Sequence, residues 1–172
     1  MKYWLLLASI ICYSIHAITS SEQIPTNPVT ANCPEGYVYF QASHSCYGRD
    51  PGMIGWNTWA KAEQYCEKHG GHLPSLHSIE ETKFIISFGT PDGWGVWVGL
   101  YSIDEINSWK WSDGTPTDYI PWIFGNDFPF NNDNINATCV YANPYWNPTG
   151  SLINDYCSTV NLFVCQIPVK NK

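Results

Sequence analysis

Apolar positions in this chain come in short blocks divided by polar, turn-rich stretches, and the spacing inside each block changes along the sequence. "GYVYF" (36–40) and "SCYG" (45–48) are aromatic-rich strand segments, and "QASHS" between them supplies the turn of a hairpin. In "NTWAKAEQYCEKHGG", Trp59, Ala62 and Cys66 recur at i, i+3 and i+7, which predicts a helix with Thr58 as its cap and Gly70 in the left-handed position at its end. A second helix is predicted in "SIEETKFIISF". There Ser78 and Glu81 have capping-box spacing, and Phe84, Ile85 and Phe88 form an apolar stripe. "GVWVGL" (95–100) is an apolar run of strand length, and "SWKWSDGT" alternates before a turn. "TCVYA" (138–142) interrupts a long proline- and asparagine-rich region, and "LFVCQ" (162–166) reads as a terminal strand. Helices early, strands late and long loops between them predict a mixed α+β domain.

The first residues, "MKYWLLLASIICYSIHAITSS", place one lysine before an apolar run and small or hydroxyl residues after it, the layout of a secretory signal peptide over residues 1–20. Cleavage after Ala17 and cleavage after Ser20 both fit. The run from Tyr3 to Ile15 falls short of the roughly 20 residues a membrane helix needs, so no membrane span is expected in the mature chain. Residues 21–32, "SEQIPTNPVTAN", read as a flexible lead-in, 33–167 as one domain, and 168–172 as a tail.

A formal net charge of -7 disfavours phosphate backbones, so nucleic acid is not an expected partner. Nine tryptophans and eleven tyrosines favour recognition surfaces as well as cores. Seven cysteines occur, and Cys12 leaves with the signal. The remaining six, Cys33, Cys46, Cys66, Cys139, Cys157 and Cys165, read as three disulfides, for which six cysteines allow fifteen connectivities. No Cys-x-x-Cys pair supports zinc in their place.

"W-x-x-A-x-x-x-C" (59–66), "GGHLPSLHS" (70–78), "WVGL" (97–100), "W-x-W-S-D-G-T-P" (109–116) and the closing "FVC" occur in this order with the cysteines interleaved. Together they resemble the C-type lectin-like domain. The resemblance covers about residues 33–167 and implies that family's fold: two helices and small antiparallel sheets with a long disulfide-clamped loop. It also implies the pairs Cys33–Cys46, Cys66–Cys165 and Cys139–Cys157. Of these, Cys66–Cys165 would constrain the unfolded chain most, by about 4–5 kcal/mol.

In calcium-dependent members, two motifs deliver oxygens to the ion and to vicinal sugar hydroxyls. One is a Glu-Pro-Asn or Gln-Pro-Asp triplet; the other is Trp-Asn-Asp with two residues before the next cysteine. Calcium takes about six to eight oxygen ligands. Here the triplet reads Phe128-Pro129-Phe130, and phenylalanine cannot ligate calcium. The second motif reads "GSLINDYC", with Asn154-Asp155 one residue too close to Cys157; a one-residue slip turns a strand's side chains to the other face. The usual motifs are therefore degraded. A weak, irregular calcium site would draw on Asp133, Asn154 and Asp155, while the plainer reading has the loop's asparagines satisfying turn backbone.

Phe128, Pro129, Phe130, Asn131, Asn132, Asp133, Trp146, Asn154 and Asp155 are the expected ligand-binding residues. Asn136 heads a glycosylation sequon, Asn136-Ala137-Thr138. His69, His72 and His77 fall close together and invite a zinc reading, against which the family uses this stretch structurally. No Gly-x-Ser-x-Gly and no glycine-rich phosphate loop occur, so the chain reads as a binding protein and not an enzyme. The expected function is that of a secreted lectin-like protein binding carbohydrate through an atypical or calcium-independent site. The alternative is a protein or other non-sugar ligand on the same loop. Secreted single-domain proteins that this chain looks like are often linked to innate defence.

Overall fold

The computed structural model describes residues 32–88, 94–123, 129–130, 133–144 and 151–170. Strands β1 (Tyr37–Phe40) and β2 (Ser45–Gly48) form the expected hairpin, with Tyr37 opposite Gly48 and Phe40 opposite Ser45. Helix α1 runs Trp59–Lys68 and buries Ala62, Glu63 and Cys66. Its start differs from the expectation in one detail. Thr58 is extended and its carbonyl accepts from Ala62 N–H at 3.0 Å, but its side chain makes no capping bond. Gly70 takes the left-handed conformation, φ +81°, that ends the helix. Helix α2 spans Ile79–Ile86, and Ser78 Oγ accepts from Glu81 N–H at 3.2 Å. The return arm of the capping box is displaced by one residue, because the Glu81 carboxylate accepts from His77 N–H at 2.7 Å.

A six-stranded sheet is built on β4 (Val96–Tyr101). The strand order is β3 (Trp56–Asn57), β8 (Asn161–Phe163), β4, β6 (Cys139–Ala142), β7 (Leu152–Asp155), with β5 (Lys110–Trp111) paired to β4 off this path. β8 lies parallel to β4 and β6 antiparallel. Because β4 is covered on both sides, it reads as an unbroken apolar run. Its alternation still sorts the side chains: Val96, Val98 and Leu100 join one core cluster and Trp97 the other.

The terminal apolar run serves two sheets. β8 ends at Phe163, Val164 interrupts, and β9 (Cys165–Pro168) pairs with β2 in a three-stranded sheet of order β1-β2-β9. Three disulfides cross these elements: Cys33–Cys46, Cys66–Cys165 and Cys139–Cys157, with sequence separations of 13, 99 and 18. The second fastens α1 to β9; the third clamps the chain between β6 and the residues after β7.

Candidate functional site

The long loop is framed by β6 and β7, whose antiparallel register sets Cys139 opposite Asp155, Val140 opposite Asn154 and Ala142 opposite Leu152. Its base is held by backbone bonds. Ser151 and Leu152 N–H both donate to the Pro121 carbonyl, at 3.0 and 2.9 Å, and Ser102 N–H donates to Thr138 O at 2.9 Å. Trp122, 3 % exposed, lies in the core beneath, edge-on to Trp109. Trp97 is likewise buried.

Of the expected ligand-binding residues, Phe128, Asn131, Asn132 and Trp146 lie outside the described residues. Pro129 is buried, and Phe130 is 50 % exposed. Asp133 and Asn136 face solvent. Asn154 is fully buried, and its amide Nδ2 donates to the Ala137 carbonyl at 2.9 Å. Asp155 is half-buried, with Oδ1 accepting from Tyr156 N–H at 2.7 Å. Burial raises the Tyr141 hydroxyl's pKa, the Asp155 charge raises it further, and a hydrogen bond with Asn143 works against both. Asn134 organises the turn. Its Nδ2 donates to Tyr156 Oη at 2.7 Å, its Oδ1 accepts from Asn136 N–H at 3.2 Å, and its carbonyl accepts from Ala137 N–H at 3.0 Å. An amide satisfying turn backbone is what Asn does well, and here Asn134 and Asn154 both do it. Ile135, next to Asn134 in the chain, is 50 % exposed, and Tyr156 is 47 % exposed.

The three histidines diverge. His69 Nε2 is 2.9 Å from Asp50 Oδ2, and His72 Nδ1 is 2.6 Å from Glu63 Oε1. His77 lies 3.2 Å from Asp118 Oδ1 and 3.1 Å from Thr115 Oγ1. Each has its own carboxylate, so they do not form the shared site their spacing suggested. Among the described residues, the group of three His, Cys, Asp or Glu side chains whose ligand atoms lie within 4.8 Å of one another is Glu63, Glu67 and His72. Sequence reading missed it because it needs both the i, i+4 pairing on α1 and the reversal at Gly70-Gly71.

A cleft of about 590 Å³ was also missed. Ser45, Ser75, His77, Glu81, Asp113 and Gln166 are among its lining residues. Ser75 Oγ donates to Asp113 Oδ2 at 2.6 Å, and Ser75 N–H donates to Gln166 Oε1 at 2.9 Å. The available signal was Ser75, a small polar residue between the buried Leu73 and Leu76.

The sequence profile of the Lectin C-type domain matches residues 56–167. A C-type lectin from Cerberus rynchops is 38 % identical over 116 residues, covering 63 % of this chain and 70 % of that one. Among solved structures, a calcium-independent type II antifreeze protein superposes with a TM-score of 0.65 at 26 % identity, covering 81 % of this chain and 96 % of that one. The cow CD23 C-type carbohydrate-recognition domain, crystallised in the presence of a GlcNAc2Man3 oligosaccharide, gives 0.65 at 27 % identity, covering 82 % and 99 %. This chain belongs to the C-type lectin domain family, a family of binding domains. No helix among the described residues is long and apolar enough to cross a membrane.

Proposed function

We propose that the chain is exported on a signal formed by residues 1–20 and acts outside the cell as a glycan-binding lectin whose loop works without the usual calcium centre. The observation that carries this reading is the position of Asn154. It stands where the second calcium motif would present its ligands, yet it is buried and its amide is bonded to the Ala137 carbonyl. Its neighbour Asp155 accepts a backbone hydrogen bond at 2.7 Å. With Phe128 and Phe130 in the first motif, the oxygens available here fit a calcium ion poorly.

Sugar rings stack on aromatic faces, and Phe130 and Tyr156 are the exposed aromatics the described part of the loop offers. Asp133, Asn134 and Asn136 follow Phe130 closely in the chain as hydrogen-bonding groups, and Asn134 is bonded to Tyr156 Oη at 2.7 Å. A glycan on the exposed Asn136 would crowd this surface. Ile135, aliphatic, exposed and next in the chain to Asn134, the hydrogen-bond partner of Tyr156, favours a second reading in which a protein occupies the same face.

The deciding experiment is retention of the chain on a panel of immobilised glycans with calcium and with EDTA. Retention on at least one glycan, unchanged by EDTA and lost in Tyr156→Ala, is expected. Retention that vanishes with EDTA overturns the calcium-independent site, and no retention on any glycan overturns the lectin reading.

A further inference from the structure

We propose that Glu63, Glu67 and His72 form a zinc-binding site between α1 and the chain reversal that follows it, separate from the long loop. Glu63 and Glu67 stand at i and i+4, so they share one helix face. The chain then reverses at Gly70-Gly71. Gly70 supplies the positive φ of 81°, and Gly71 lies so close to the Gln166 carbonyl that a Cβ there would collide with it. This reversal returns His72 to the helix face. A two-bond bridge pins it there, His72 N–H to Gln166 O at 3.1 Å and Gln166 N–H to His72 O at 2.8 Å. Cys66, between the two glutamates, is joined to Cys165, the residue before Gln166. The helix carrying two ligands and the segment carrying the third are thus covalently locked together, the preorganisation a metal site requires.

The side chains are prepared in the same way. Glu63 is 7 % exposed; its Oε2 accepts from Leu73 N–H at 2.8 Å, and its Oε1 lies 2.6 Å from His72 Nδ1. The Leu73 bond fixes the carboxylate and leaves Oε1 directed at the imidazole, as outer hydrogen bonds orient metal ligands. Glu67 is exposed, and its carboxylate has no hydrogen bond or ion pair among the described residues. The three ligand atoms lie within 4.8 Å of one another. Zinc bonds of about 2.0–2.2 Å in a tetrahedron place ligands roughly 3.4 Å apart. The His72–Glu63 contact opens slightly and the free Glu67 side chain rotates in to reach that spacing. The ion takes the place of the hydrogen between Nδ1 and Oε1, which shifts to Nε2 or leaves to solvent, and water fills the fourth position. One imidazole with two carboxylates suits zinc, whereas calcium takes all-oxygen shells of higher number.

Calorimetric titration of zinc chloride into the full chain, disulfides formed and metal stripped with EDTA, tests the site. One zinc per chain is expected. Glu67→Gln and His72→Gln should each weaken binding at least about tenfold. His69→Gln should leave it unchanged. Cobalt(II) in place of zinc should give the visible absorption of a tetrahedral site in the parent chain but not in His72→Gln. Glu67 makes no side-chain hydrogen bond or ion pair among the described residues, so Glu67→Gln should keep the parent unfolding midpoint and decides the matter even if His72→Gln fails to fold. Absence of saturable zinc uptake, full affinity in Glu67→Gln, or loss of binding in His69→Gln each overturns the proposal.

Discussion

Two irregular segments of this domain are held in opposite ways. Residues 70–78 belong to the core although they form no element: Leu73 and Leu76 are fully buried, and Ser75 is 1 % exposed. Side chains from elsewhere take the backbone N–H groups of Leu73, Ser75 and His77: Glu63 at 2.8 Å, Gln166 at 2.9 Å and Glu81 at 2.7 Å. Residues 133–138 send only Ala137 inward, leave Ile135 half in solvent, and are tied mainly through the amides of Asn134 and Asn154. A loop anchored by apolar side chains and buried carboxylates cannot change its face without unpacking the domain. A loop stitched by amides can keep its path while its outward residues change, and binding specificity belongs on such a loop.

The largest test of this contrast removes the staples. Cys66→Ala/Cys165→Ala opens a sequence separation of 99 and should cost about 4–5 kcal/mol in urea unfolding. Cys139→Ala/Cys157→Ala opens a separation of 18 and should cost about 3 kcal/mol. The reverse order would mean that the polar loop, not the core segment, governs stability. Next come the anchors. Leu76→Ala should lose about 2–5 kcal/mol, whereas Ile135→Ala should stay within about 0.5 kcal/mol by the same measurement.

Asn154→Ala removes a buried donor and leaves the Ala137 carbonyl without it, for about 1–3 kcal/mol. Hydrogen exchange should then quicken at the amides of residues 134–138 and stay unchanged over 72–77; a uniform rise would erase the distinction. The smallest effect lies in a third loop, between β4 and β5. Asp104 accepts from Ser108 Oγ at 2.6 Å, Ser102 Oγ at 2.8 Å and Ser108 N–H at 3.0 Å. Hydrogen bonds from Ser108 and then Ser102 hold its carboxyl below the ordinary 3.8. A folded-state pKa lowered in this way stabilises the loop above 3.8 and ceases to do so as pH falls through the lower folded value. The amide of Ser108 should therefore lose exchange protection only under acid, and Asp104→Asn should show that loss already at neutral pH.

Much of this architecture is legible in the sequence where period and burial agree. The α1 pattern of Trp59, Ala62 and Cys66, the capping-box spacing before α2 and the apolar run of β4 each have one physical solution. β3 is only two residues long, too short for any period. β7 ends in Asn154-Asp155, letters that suggest a turn; that Asn154 is buried depends on a carbonyl 17 residues away, which no local pattern contains. "LFVCQ" looks like a single strand because alternation says nothing about which sheet receives each half. The metal-ligand cluster on α1 was illegible for a related reason. His72 groups by spacing with His69 and His77, and only the chain reversal regroups it with Glu63 and Glu67.

The division of the run 161–168 between two sheets also has a consequence in time. Neither sheet is complete until this run has been made, and Cys66 finds its partner only there, 99 residues later. At synthesis rates of about 5–20 residues per second, the Cys66 thiol waits roughly 5–20 s, whereas Cys33 and Cys46, 13 apart, can close within about 1–3 s. During that wait Cys139 and Cys157 also emerge, the latter only eight residues before Cys165, about 0.4–1.6 s at the same rates, so the last four cysteines meet almost together and the folded sheets must sort them.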